Sequence, residues 1–107
     1  MRRKLSAKEI EETNRIVNHC EALINARGLV GVDRDEEGVS RHIGIFDAAP
    51  WRVCWMREED RFVLQIFHDG RDVFRCNWNT AVDDPGKMWA APGAWKRELL
   101  NLPIAHA

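Results

Sequence analysis

The sequence predicts an α+β domain: a long amino-terminal helix packed on a three- or four-stranded antiparallel meander, followed by a short carboxy-terminal helix. Three observations predict it. A Ser-Ala-Lys-Glu signature at Ser6 to Glu9 opens a stretch whose apolar residues recur at helical spacing. Residues 52 to 78 alternate apolar and polar with the period of strands. Near the end, Trp95, Leu99 and Leu102 fall on one helical face between Pro92 and Pro103.

In the first helix the Ser6 hydroxyl can accept from the Glu9 amide, while the Glu9 carboxylate reaches back to the Ser6 amide. Leu5 and Ile10 occupy the staple positions on either side of this cap. Ile10, Val17 and Ile24 form the apolar stripe, widened by Thr13, Ile16, Cys20 and Leu23, and Gly28 is expected as a left-handed stop. Glu9, Glu11 and Glu12 stand where the helix dipole favours negative charge, so they are expected as a solvated face.

The meander starts from Arg52 to Arg57. A turn at Glu59-Asp60 pairs Trp55 with Leu64, Val53 with Ile66 and Glu58 with Arg61, which joins apolar residues to apolar and acid to base. The next hairpin poses a choice of loop. A two-residue Asp69-Gly70 loop sets Leu64 beside Arg75 and mixes core with solvent. A three-residue loop, His68-Asp69-Gly70, sets Leu64 beside Phe74 and Phe62 beside Cys76, and is the expected one. A fourth strand, Arg41 to Phe46, follows from Ile43 and Ile45, with Pro50 separating it from the meander.

The 107 residues are expected to form one domain with one core, and the apolar and charged fractions of 45% and 31% are those of an ordinary globular chain. No apolar run is long enough to span a bilayer, and no apolar segment follows Arg2-Arg3-Lys4 as it would in a leader peptide. Cys20, Cys54 and Cys76 are odd in number and fall on apolar faces or within strands, as free thiols do in a reducing compartment; a cytoplasmic protein is expected. A net charge of −1 offers no strong field to nucleic acid or an anionic membrane. Twelve arginines stand against four lysines, a bias that fits either base composition or an interface.

No motif carries catalysis. Asp33 to Gly38 opens like a calcium loop, but Gly44 stands where the bidentate acid belongs. His19, His42, His68 and His106 make no metal-ligand spacing with one another or with cysteine. His42 as a base lacks an orienting carboxylate and a nucleophile, and Ser6 is taken by the helix cap. No glycine-rich phosphate loop is present. The expectation is therefore no cofactor, no metal and no enzymatic activity.

What remains is a surplus of large aromatic residues. Of the five tryptophans, Trp55, Trp78 and Trp95 have core positions, whereas Trp51 and Trp89 have none. Exposed Trp and Met are common interface anchors, so Trp51, Met88, Trp89, Phe67 and Arg75 are the candidate partner-binding residues. The expected function is a non-catalytic protein-binding module, self-associating or bound to another protein, of the kind seen in small inhibitors and adaptors of mobile elements. The alternative is a small-molecule site with Trp51 or Trp89 lining a pocket. Single-stranded nucleic acid on the open sheet face is the least favoured reading, because acidic residues dilute the charge there.

Overall fold

The computed structural model describes residues 5–31, 42–58, 61–79 and 88–105. It is an α+β fold with a long helix α1 (Ala7–Arg27), six antiparallel strands and a short helix α2 (Trp95–Leu100). The strands are β1 (Leu29–Val30), β2 (His42–Ala48), β3 (Trp51–Glu58), β4 (Arg61–His68), β5 (Arg71–Asn79) and β6 (Met88–Ala90), paired in chain order as one meander. The sheet is thus wider than expected by an edge strand on each side. Strands of two and three residues are too short to show alternation in sequence.

Helix α1 carries the full capping box: Ser6 Oγ accepts from the Glu9 amide at 3.1 Å, and the Ser6 amide donates to Glu9 Oε1 at 3.2 Å. Thr13, Ile16, Val17, Cys20, Leu23 and Ile24 form its buried stripe, with Ile10 at the margin, 37% exposed. Gly28 ends the helix but is not left-handed; its φ of −103° is ordinary extended backbone. Glycine is required there for space, since a Cβ would strike the carbonyl oxygen of Ile45 in the adjoining strand.

The β3–β4 register is the expected one: Trp55 opposite Leu64, Val53 opposite Ile66, Glu58 opposite Arg61. The turn residues 59 and 60 lie outside the described residues. The next hairpin differs from expectation. Its loop has two residues, Asp69 and Gly70, both left-handed at φ 53° and 76°, as in a tight I′ turn. A bulge after Asp72 then skips Val73 and shifts the pairing, so that Ile66 faces Phe74, Leu64 faces Cys76 and Phe62 faces Trp78. The extra residue restores the apolar face that a two-residue loop alone would have scrambled. From Phe62 to Ile66 each partner lies two residues from the expected one and these side chains keep their faces, but Val73, expected beside Gln65, joins the helix-side core, and Asp72 pairs with Phe67 on the other face.

Strand β2 is longer than expected and belongs to the meander. It turns into β3 through Ala49 and Pro50, joined by a cis peptide bond, with Ala48 opposite Trp51. The Asp69 amide donates to the Pro50 carbonyl at 2.9 Å, fastening this turn to the β4–β5 turn.

Both helices pack on one face of the sheet. The core there joins the α1 stripe to Phe46, Trp51, Val53, Leu64, Ile66, Phe74 and Cys76, with Trp95 and Leu99 of α2. Helix α2 starts at Trp95, so Pro92 precedes it; Trp95 Nε1 donates to the Ala91 carbonyl at 2.7 Å and its ring meets Phe74 at 5.9 Å. Arg27 ties the carboxy-terminal segment back, donating to the Pro103 carbonyl at 2.9 Å with its guanidinium over the Phe46 ring. No helix among the described residues packs on the opposite sheet face.

Candidate functional site

Alternation along paired strands assigns the second face. Through successive Cα partners, Leu29, Ile45, Cys54, Gln65, Arg75 and Trp89 form a single row across all six strands. The neighbouring row holds Asp47, Arg52, Phe67 and Asp72, and on the other side Met56, Val63 and Asn77. We refer to this as the open face.

Its charges are largely matched within the chain. Arg52 donates to Asp47 across the β2–β3 pair at 2.9 Å. Asp72 Oδ2 accepts from Gln65 Nε2 at 2.9 Å and from Arg75 Nη2 at 3.4 Å, while its Oδ1 is buried without a partner. The two-residue turn sets Asp72 opposite Phe67, and the bulge then sets Arg75 opposite Gln65 on the same face, so the carboxylate reaches both.

The five candidate residues divide between the two faces. Trp89 is 50% exposed on edge strand β6, directly across from Arg75, itself exposed. Phe67 is half-buried on the same face. Trp51 lies on the other side: it is 5% exposed, and its ring sits 4.4 Å from that of His68. Met88 also faces α1, with its Sδ 2.7 Å from Thr13 Oγ1, which is equally close to the Glu9 carbonyl. Leu29, 81% exposed at the far edge of the row, was not anticipated, because its two-residue strand leaves no pattern.

A hollow of about 560 Å³ lies at the end of the sheet where the two turns meet, with Pro50, Trp51 and Phe67 as its apolar lining and Asp47, Arg52 and Asp69 on its rim. Beneath it, on the helix side, His68 stands between two carboxylates, 3.9 Å from Asp69 and 3.7 Å from Glu98. Each carboxylate addresses a different ring nitrogen, so the three do not converge on one point.

Among the described residues no group of three or more His, Cys, Asp or Glu could hold a metal ion. The Asp33–Gly38 stretch and the His42 side chain lie outside the described residues, as does the Trp78 side chain. Burial pushes the thiols of Cys20 and Cys76 up to about 12. Cys54, half-buried on the open face, is also raised by burial, against the opposing pull of Arg52. None of the three has the lowered pKa of a nucleophilic cysteine. No helix among the described residues is long and apolar enough to cross a membrane. No protein-family model, curated protein or solved structure matches the chain.

Proposed function

We propose that this chain is a non-catalytic protein-binding module whose recognition surface is the open sheet face, anchored by Trp89 with Arg75 and Phe67 beside it. The carrying observation is the position of Trp89: half of a large ring lies in solvent on an edge strand, opposite an exposed arginine. Tryptophan and arginine together are the residue types on which interface energy concentrates. Strand β6 is the last in the sheet order among the described residues, which places the ring at the sheet margin. Nucleic acid is a poorer fit, because Asp47 and Asp72 occupy the guanidinium groups that would meet phosphate.

The test is Trp89→Ala, compared with the parent chain by sedimentation equilibrium, capture from native lysate and urea melts. Association should weaken by about 1–2 kcal/mol with the urea midpoint nearly unchanged. Unchanged association together with a large loss of stability would defeat the proposal. A second reading rests on the hollow at the two turns, whose size lies in the range of small-molecule sites. It predicts ligand-induced quenching of tryptophan fluorescence that Trp51→Phe removes, with the mass in solution unchanged.

A further inference from the structure

We infer that the hollow at the two turns is a site for a small organic amine, held with its apolar body against Phe67 and Pro50 and its ammonium at the carboxylate of Asp69. The inference rests on the small-molecule reading of that hollow, and goes further in naming the chemistry of the occupant. The lining is apolar where it is deepest. Phe67 is half-buried and stands opposite Arg52 in the β3–β4 ladder, with Trp51 and Pro50 beside it. The volume of about 560 Å³ suits a ligand with a single aromatic ring. The walls are built in advance, because the Asp69 amide on the Pro50 carbonyl at 2.9 Å holds the two turns together. Gly70 leaves the mouth open: even a Cβ there would meet nothing within 4 Å.

The rim decides the sign of the ligand. Its charged groups are Asp47, Arg52 and Asp69. Arg52 donates to Asp47 at 2.9 Å, so these two answer each other. Asp69 has no guanidinium or ammonium of its own. Its carboxylate is 71% exposed, and its neighbour is the His68 imidazole at 3.9 Å, which has Glu98 beside its other nitrogen. An anion entering the hollow meets this carboxylate and is repelled. An ammonium can pair with it, and the aromatic ring of Phe67 attracts a cation as well. A neutral apolar ligand gains the lining but not the rim.

The experiment titrates the full chain with three probes of one shape, phenylethylamine, phenylethanol and phenylpropionate, and follows the Gly70 amide signal by nuclear magnetic resonance at low salt. The amine should bind most tightly, with a saturable shift, and phenylpropionate most weakly. Asp69→Asn removes the charge at a left-handed position, φ 53°, that asparagine tolerates. It should weaken the amine about two- to fivefold and leave phenylethanol unchanged. Arg52→Gln frees the Asp47 carboxylate and should tighten the amine by a similar factor. Opposite responses to the two variants cannot both come from lost folding. Added salt should narrow the gap between amine and alcohol. Equal binding of the three probes, or an amine indifferent to Asp69→Asn, overturns the inference and leaves the small-molecule reading in place. No saturable shift with any probe overturns both.

Discussion

Gly44 lies so close to Ile24 that a Cβ at Gly44 would overlap Ile24 Cγ2. The missing side chain lets α1 settle directly onto β2, next to the point where Gly28 must also be bare to pass the Ile45 carbonyl. Helix and sheet are therefore pinned at two glycines near the end of α1. Gly44→Ala should destabilise the fold by about 1–3 kcal/mol through overpacking. The penalty should shrink when Ile24 is already Ala, because the colliding methyl is gone. A double-mutant cycle on urea midpoints reads the coupling; equal penalties in the two backgrounds would contradict the contact.

Leu64 and Gln65 are neighbours in sequence on opposite faces. Leu64 is fully buried among the core residues, opposite Trp55 and Cys76. Gln65 is partly exposed and donates to Asp72. Leu64→Ala should cost about 2–5 kcal/mol by leaving a cavity, and Gln65→Ala about 1 kcal/mol for one lost hydrogen bond. Similar losses at both positions in denaturant melts would refute the assignment of faces.

The thiols give a pH test. Cys20 and Cys76 are held protonated by burial, with pKa values near 12 against about 9 for a free thiol. The unfolded chain therefore loses these protons first as pH rises. The contribution of each buried thiol is complete below pH 9 and is lost progressively toward pH 12. Cys20→Ala should flatten the alkaline fall in stability relative to the parent. In a thiol-reagent assay at neutral pH, Cys54 should react first, with Cys20 and Cys76 reacting at the rate of unfolding.

Local chemistry made part of this fold legible. The cap at Ser6 and Glu9 is a contiguous motif, and the β3–β4 register follows from Val53 and Trp55 finding Ile66 and Leu64 across a short turn. The β4–β5 register was hidden because two features cancel: a two-residue turn at Asp69-Gly70 and a bulge at Val73 together preserve, from Phe74 onward, the face alternation that a longer loop would also give. Gly28 looked like a conformational stop because sequence does not reveal that the Ile45 carbonyl passes beside it. The same limit applies to the candidate site. Trp51 and Trp89 are indistinguishable in composition, and what separates them is long-range pairing, which places Trp51 on the helix-covered face and Trp89 on an edge strand facing away.

That separation supplies the last prediction. Trp51 is packed with core residues and its ring lies tilted against that of His68, so Trp51→Ala should cost about 3–5 kcal/mol and lower the urea midpoint steeply. Trp89 already has half its surface in water, and β6 is held by its pairing with β5 and by the Ala91 amide bonded to the Val73 carbonyl at 2.8 Å, neither of which uses the indole. Trp89→Ala should therefore stay within about 1 kcal/mol of the parent. Fluorescence provides an independent check on the same proteins. An exposed indole is accessible to a collisional quencher such as acrylamide, so removing Trp89 should remove a disproportionate share of the quenchable emission, whereas removing Trp51 should leave it. If Trp89→Ala instead proves as damaging as Trp51→Ala, the ring is structural, and the open face loses its anchor.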